Sequence, residues 1–266
     1  MWNKLRVCNL SSGSDGNLTY IETLNAKILL DAGLSASEIT KRLSLLRVTP
    51  EEIDAVLITH EHMDHIKGLD VFASKYHTKV YVHNKGLWAL KSKLKKADFI
   101  QFVPFDDMDF IIKDLYVSNF PLSHDSVYCS GFSFKEKTKK VSILTDLGYT
   151  NDEVLNRIAG SVLVYIEANH DEQMLKNNPT YPLMLKQRIL GKRGHLSNMA
   201  CAQAVEYLAH TGTKQIMLAH LSRENNTPEL AYGSICAYLK EHGIEEGKHI
   251  KIAVTSIYPC YVFNIC

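Results

Sequence analysis

No hydrophobic run in this 266-residue sequence approaches the roughly 20 residues that a membrane span requires. The six cysteines (Cys8, Cys129, Cys201, Cys236, Cys260 and Cys266) form no Cys-x-x-Cys pair, and they read as free cytosolic thiols, not a disulfide framework. Charge of one sign is also missing. The formal net charge is +1, so nothing global advertises nucleic acid and any grip on phosphate must come from a local patch. Low-complexity segments and linkers rich in proline or glycine are absent, which makes one domain over residues 1–266 the economical expectation. Met1-Trp2-Asn3-Lys4-Leu5-Arg6 has no signal-peptide core, so a cytoplasmic location without membrane attachment is expected.

The distinctive residues are concentrated in Thr59-His60-Glu61-His62-Met63-Asp64-His65. Three histidines and an aspartate fall within six residues, directly after Ala55-Val56-Leu57-Ile58, an apolar run that reads as a buried strand. In open α/β sheets, ligands gather beyond the carboxyl ends of strands. His60 and His62, two residues apart, point to one side of an extended segment, and Asp64 and His65 offer donors beyond a tight bend. Imidazole together with carboxylate suits zinc, manganese or iron. A lone loop histidine is ordinarily just solvated, but a run of converging donors behind a buried strand is not explained that way.

Elsewhere, strand patterns at Lys4–Leu10, Leu18–Thr23, Lys27–Leu30 and Asp54–Thr59 alternate with a helical spacing over Ser35–Leu46. Thr49-Pro50-Glu51-Glu52 is a capping box with proline at the first helical position. Helices are expected over Ile66–Tyr76 and Lys85–Lys96, with a strand at Lys79–His83 between them. Strands then dominate to Asp146, the longest at Leu115–Leu122, Val127–Phe134 and Lys140–Asp146. Further helices fall at Asp152–Ile158, Asp171–Asn177, Leu183–Leu190, Ser197–His210 and Pro228–Lys240. Strands fall at Val162–Ile166, Gln215–Ala219, Ile250–Val254 and Tyr261–Ile265. Strands followed by helices, twice over, fit the two αβ layers of a sandwich.

Three more donors occupy strand ends. His124 follows Phe120-Pro121-Leu122, Asp146 closes Ile143-Leu144-Thr145, and His220 closes Ile216-Met217-Leu218-Ala219. Each alone is commonplace, yet their shared placement makes them candidates for the rest of a two-metal site. Gly194-His195-Leu196-Ser197-Asn198 opens the helix that Ser197 caps. A helix N-terminus is an anion site, so Ser197 and Asn198 are candidate substrate contacts. A protonated His195 there can touch a phosphate oxygen or pass a proton to a leaving oxygen. The plainer alternative is a capping serine beside an incidental histidine. Lys186, Arg188, Lys192 and Arg193 put four cations in eight residues without an acid, as a phosphate-contacting stripe or a solvated helix face. Trp88, in the basic helix, packs inward or stacks a base. Glu167, at the end of its apolar strand, orients His195 or a ligand, or is a satisfied strand-end carboxylate. His170 receives no role.

The His60–His65 stretch resembles the signature of the metallo-β-lactamase superfamily. Ser12-Gly13-Ser14-Asp15-Gly16-Asn17, Asp31-Ala32-Gly33-Leu34-Ser35, Thr145-Asp146-Leu147-Gly148, Glu167-Ala168-Asn169-His170-Asp171, Gly194-His195-Leu196-Ser197-Asn198 and Leu218-Ala219-His220-Leu221-Ser222 extend the likeness. Nearly end to end, the chain resembles the YycJ (also WalJ or VicX) branch. The resemblance implies an α/β four-layer αββα sandwich with two divalent ions, zinc or manganese with iron as a further option, between its sheets. It also implies that His60, His62 and His124 hold one ion, that Asp64, His65 and His220 hold the other, and that Asp146 bridges them. Asp31 would hydrogen-bond a ligating imidazole. A shared water, deprotonated near neutral pH and oriented by Asp64, is the expected nucleophile. The branch is regarded as cytoplasmic hydrolases with nuclease activity, including 5′→3′ exonuclease action on DNA, which puts DNA ahead of RNA as partner. Gly194-His195-Leu196-Ser197 is also similar to the Gly-His-x-Ser of ribonuclease J and ribonuclease Z. Asp15 departs from the branch, whose loop carries serine there, and adds negative charge beside a phosphate path. Competing readings are an acyl hydrolase for a thioester or lactone, a hydrolase of small cyclic phosphodiesters, a non-catalytic scaffold and a di-iron oxygen-handling protein. The first leaves Gly194-His195 and the basic run without a purpose.

Overall fold

The computed structural model describes residues 5–255 and, as backbone alone, 261–265. Cys260, Cys266 and the Lys4 start expected for the first strand lie outside the described residues. The chain opens with β1 (Leu5–Ser11), β2 (Leu18–Glu22), β3 (Lys27–Leu30), α1 (Ala36–Leu45) and β4 (Ala55–Leu57). Next come α2 (Met63–Ile66), α3 (Leu69–Tyr76), β5 (Lys79–His83), α4 (Asn84–Lys93) and β6 (Phe102–Phe105). Four further strands follow, β7 (Phe110–Ile112), β8 (Leu115–Leu122), β9 (Cys129–Glu136) and β10 (Lys139–Leu144). The remainder is α5 (Asp152–Ile158), β11 (Leu163–Glu167), α6 (Glu172–Asn177), α7 (Leu183–Leu190), α8 (Asn198–His210), β12 (Gln215–Ala219), α9 (Pro228–Glu241), β13 (Lys251–Val254) and β14 (Tyr261–Ile265).

Two seven-stranded mixed sheets result, ordered β14-β1-β2-β3-β4-β5-β6 and β13-β12-β11-β10-β9-β8-β7. The sequence halves map onto the two sheets except for β14, which returns to pair antiparallel with β1. Strand residues divide by parity, because successive side chains face opposite ways. Ala55 and Leu57 of β4, Leu163 and Tyr165 of β11, and Met217 and Ala219 of β12 share one apolar layer between the sheets. Val56 faces a second layer with Ile39 and Leu43 of α1 and Phe72 of α3. Val164, Ile166, Ile216 and Leu218 face a third with Val205 and Leu208 of α8 and Ile235 of α9. Helices on both outer faces make the αββα sandwich. They explain why these strands read as continuous apolar runs: neither face meets water.

Local departures have local causes. The helix expected over Ile66–Tyr76 is broken, with α2 ending at Ile66 and α3 starting at Leu69. Gly68 sits at the break, its N–H donating to Ala32 O (2.8 Å) and its bare Cα against Leu34 O, 2.0 Å from where a Cβ would stand. Trp88 on α4 is 80% exposed, so the inward-packing option does not hold.

Three residues at strand ends, Asp31 (φ 62°), Asp146 (φ 64°) and His220 (φ 55°), adopt left-handed backbone. Non-glycine residues rarely do so, and such positions cluster at functional sites. Gly33 completes the scaffold. The Asp64 carbonyl accepts the Asn17 N–H (2.7 Å) and the His65 carbonyl accepts the Ala32 N–H (2.7 Å). A Cβ on Gly33 would stand 1.8 Å from that Asp64 oxygen. Gly33→Ala should therefore destabilise the protein by about 1–3 kcal/mol or more in urea titrations, as an overpacked site does. Gly233→Ala is the control, since its Cβ meets nothing within 4 Å on the exposed face of α9 and should be neutral or stabilising. Equal midpoints for the two variants would show that the Gly33 contact bears no load.

Candidate metal centre

The C-terminal ends of β3, β4, β10, β11 and β12 deliver the polar residues to one edge of the sandwich. His60, His62 and His124 bring one ring nitrogen each within 4.8 Å of one another, and so do the ligand atoms of Asp64, His65 and His220. Asp146 meets His60 and His65 in a third such group. His60, His65, His124, Asp146 and His220 are all buried.

Four of the five imidazoles, all but His62, are oriented from behind, as metal ligands usually are. His65 Nδ1–H donates to Asp31 Oδ2 (2.7 Å), and Asp31 Oδ1 accepts the Thr59 N–H (2.9 Å). Thr59 Oγ1 spends its proton on Asp31, so it accepts from His60 Nδ1 (3.1 Å). His124 Nδ1–H donates to Gly194 O (3.1 Å), and His220 Nδ1–H to Glu167 Oε1 (2.8 Å). The Nε2 lone pairs of His60, His65, His124 and His220 are thereby turned into the centre. His60 Nε2 and His220 Nε2 are buried and find no hydrogen-bond partner among the described residues, and Asp146 Oδ2 meets only His65 Nε2 (3.1 Å) among them. Orphaned buried polar atoms are expensive unless something completes them. His62 Nδ1 and His124 Nε2 stand 3.3 Å apart. Two imidazole nitrogens at about 2.0–2.1 Å from a tetrahedral cation are separated by about 3.4 Å, so the pair fits one ion. The Asn17 amide donates to His65 Nε2 (3.0 Å), a lone pair it would yield to a bound cation.

Charge points the same way. Asp31, Asp64, Asp146 and Glu167 crowd this edge with histidines, Thr59, Asn17 and backbone N–H groups as partners and, among the described residues, without a lysine or arginine. Burial disfavours the ionised Asp64 and Asp146, yet neighbouring imidazoles hold both well below the usual carboxylate range. Burial opposes charge on His65 and His220 too, but Asp31 beside the first and Asp146 beside the second raise both well above the ordinary histidine value. The donor set is consistent with binding divalent metal, whose entry displaces those protons.

Glu167 ties His195 to this cluster. It is fully buried, and Oε1 accepts Nδ1–H from both His195 (2.8 Å) and His220 (2.8 Å). Oε2 accepts the backbone N–H of Leu147 (3.0 Å) and Leu196 (3.2 Å). Burial pushes its pKa up, but the two imidazoles prevail and hold it down to about 2. Glu167 also lies within 4.8 Å of Asp146, His195 and His220, but its oxygens are spent on those four donors, so it orients and does not ligate. His195 Nδ1 is 3.6 Å from Asp146 Oδ1, and its side chain is 20% exposed; like the half-buried His62, it reaches the open side.

The remaining candidates divide. Ser197 caps α8 through the Ala200 N–H (3.3 Å). Asn198 is buried and exchanges amide hydrogen bonds with Asn226 (3.1 and 2.9 Å), which occupies it structurally. Arg193 donates to the carbonyls of His124 (3.0 Å) and Ser126 (3.1 Å), clamping the His124 loop. Lys192 is exposed at the rim. Asp15 is ion-paired with Arg223, which offsets the added charge. Sequence reasoning overlooked Thr59 and Asn17 as orienting groups, and Asp125, whose Oδ1 lies 3.2 Å from His124 Nε2. All three stand inside or beside the motifs already quoted; Thr59 meets Asp31 and Asn17 meets His65 through chain crossings no spacing reveals, whereas Asp125 meets its own neighbour. His170 is buried, with neither ring nitrogen hydrogen-bonded among the described residues.

The chain belongs to the metallo-β-lactamase superfamily: residues 26–221 match the family described as Beta-lactamase superfamily domain. Within it, the chain is 39% identical over 250 residues to "Exodeoxyribonuclease WalJ" of Streptococcus pneumoniae (strain ATCC BAA-255 / R6), covering 93% of each chain. It is 36% identical over 244 residues to "Exodeoxyribonuclease YycJ" of Bacillus anthracis, covering 91% of this chain and 92% of that one. The fold is shared with the metallo-beta-lactamase fold protein YhfI from Bacillus subtilis, at a TM-score of 0.74 and 13% identity over 98% of this chain and 99% of that one. Zn(2+)-bound PqqB from Methylobacterium extorquens shares it too, at a TM-score of 0.72 and 15% identity over 98% of this chain and all (100%) of that one.

Two outcomes follow. Glu167→Gln keeps the shape but turns an amide N–H₂ toward groups that donate, so metal affinity should fall about 10–100-fold in competition with a chromogenic chelator. Unchanged affinity would mean that His220 is oriented without it. His170 is the second case. Burial lowers its pKa from 6.5 to about 4, so the unfolded chain binds the extra proton in that window. Stability should rise with pH between those values, by about 3 kcal/mol. His170→Leu should flatten that part of the stability–pH curve, and an unaltered curve would assign the dependence elsewhere.

Proposed function

We propose that this protein is a metal-dependent phosphodiesterase, a 5′→3′ exonuclease acting on DNA ahead of RNA, with residues 1–266 working as one domain. The observation that carries the reading is the Glu167 bridge, which joins a candidate proton donor, His195, to the donor cluster through one shared oxygen. An acyl hydrolase needs the cluster but gives that wired histidine no task. The names of the relatives, exodeoxyribonucleases over more than nine-tenths of the chain, point the same way.

His60, His62 and His124 would hold one divalent cation, and Asp64, His65 and His220 a second, with Asp146 between them. Zinc and manganese suit these donors, with iron as a further option. When bound, the cations supply positive charge that polarises the phosphate ester and draws the deprotonation of water toward neutral pH. The chain's own residues do the rest. Asp64, kept ionised by His65 and His220, accepts a hydrogen bond from the attacking water and aims it. His195 is raised above the ordinary histidine value because Glu167 outweighs its burial. It therefore carries a proton on Nε2 toward the leaving oxygen. Lys192 at the rim meets the phosphate backbone, and the capped N-terminus of α8 adds its dipole behind His195. Among the described residues no helix is long and apolar enough to cross a membrane. We place the protein in the cytoplasm.

Protein loaded with Mn²⁺ or Zn²⁺ should hydrolyse bis-p-nitrophenyl phosphate and shorten end-labelled DNA from its 5′ end, and chelation should stop both. Thioester cleavage with neither phosphodiester touched would put the acyl-hydrolase reading first. His195→Ala should lower turnover about 10²–10⁴-fold with metal content retained. Full activity in that variant would remove His195 from the mechanism.

A further inference from the structure

We infer that a cavity beside His195, walled by Tyr181, Leu185 and Ile189, is a nucleobase subsite for the nucleotide that carries the leaving oxygen; this rests on the phosphodiesterase reading above. The cavity measures about 130 Å³, and His195 lies in its wall. At about 30 Å³ per water that is space for about four waters, a volume suited to one base and not to a stack of several.

The wall is unusual for a helix. α7 contributes no buried residue to any core, and its Leu183 and Met184 are 69% and 82% exposed. Tyr181, Leu185 and Ile189 recur every four residues and are only half-buried. Four-residue spacing puts Leu185 and Ile189 on one face of α7, with Tyr181 just before its start. An apolar stripe of this kind ordinarily packs onto protein; here it faces the cavity. Ser14, Asn169 and Ser222 also line it, polar groups that suit the edge of a base, although Asn169 Nδ2 already donates to His220 O (2.9 Å). One apolar wall with an aromatic ring and one hydrogen-bonding wall match a flat heterocycle better than a phosphate. The cation and the anion at this rim, Arg188 and Asp125, already pair with each other.

The two walls are fixed relative to the chemistry. Asn178 Oδ1 accepts the N–H groups of Thr180 (2.8 Å) and Tyr181 (3.2 Å), while its Nδ2 donates to Asn225 Oδ1 (2.8 Å). Asn225 in turn donates its N–H to Ser222 Oγ (3.2 Å), so buried amides join one wall to the other. At the far end, a Cβ on Gly194 would stand 2.1 Å from Ile189 O and 2.3 Å from Arg188 O. The last turn of α7 therefore rests on the residue before His195. A base in the cavity would hold its own sugar oxygen beside the His195 ring.

The test compares DNA whose 5′-terminal nucleotide is intact with DNA whose terminal base is deleted, together with bis-p-nitrophenyl phosphate, all on the metal-loaded full chain. Wild type should release the intact terminal nucleotide at least about tenfold faster than the abasic one, the order of loss when a stacked base is removed. Tyr181→Ala and the cavity-filling Leu185→Trp should each shrink that ratio toward one, with the loss falling on intact DNA and mainly on KM. Thermal unfolding identifies a variant that merely fails to fold, and the milder Ile189→Ala then supplies the same ratio. A ratio near one in wild type, or a wild-type ratio in all three variants, overturns the subsite. If wild type cleaves the small ester but ignores the base, only the subsite fails. If it cleaves neither phosphodiester, the parent reading falls and takes the subsite with it.

Discussion

A single carboxylate, Glu167, withdrawn from water and shared between two imidazoles, is the interaction on which the rest of the active edge depends. Burying a carboxylate costs several kcal/mol unless every lone pair is met. Here four donors meet it, from His195, His220, Leu147 and Leu196. Those donors come from the loops after β10 and before α8 and from the end of β12. Saturating one anion thus fixes three chain segments relative to one another. The same act fixes Nδ1 of each histidine as a donor to Glu167, and so decides that Nε2 of His220 faces the cluster, a lone pair once a cation displaces its proton.

The opposite side of the centre repeats the device. Asp31 is saturated by His65 and Thr59, and Thr59 passes the orientation on to His60. Two buried acids, one from each sheet, therefore face each other across the cluster, each aligning imidazoles it does not share with the other. A metal-free cluster so arranged is electrostatically frustrated. Its carboxylates raise the proton affinity of His65 and His220, while burial empties His60 and His62. Divalent cations relieve both conditions together, because they accept the free lone pairs and balance the acids.

Much of this was legible in the sequence, for reasons that also mark the limit. Strand ends announce themselves where an apolar run stops at a polar residue, which is why His60, Asp146 and His220 stood out. Strands followed by helices, twice over, already fitted two αβ layers, and the resemblance to the superfamily supplied the αββα order. What failed was contact identity. Asn198 looked like an exposed helix-start residue, but it pairs with Asn226, 28 positions away. Arg193 looked like part of a basic stripe, but its guanidinium holds carbonyls of the His124 loop. Of the two options for Trp88, packing inward or stacking a base, the first does not hold, because α4 offers Ala89 and Leu90 to the core instead. Periodicity tells which face is apolar; it does not tell which polar groups a fold brings together from afar. The left-handed backbone at Asp31, Asp146 and His220 was equally hidden, since neither aspartate nor histidine signals it as glycine would.

The placement of His220 and β14 late in the chain has a consequence for biosynthesis. On a ribosome adding about 5–20 residues per second, the first donor, His60, emerges roughly 10–30 s before His220 can join it. β1 waits longer still for β14, its neighbour in the first sheet. A nascent polypeptide that has not yet reached His220 therefore lacks one donor of the cluster.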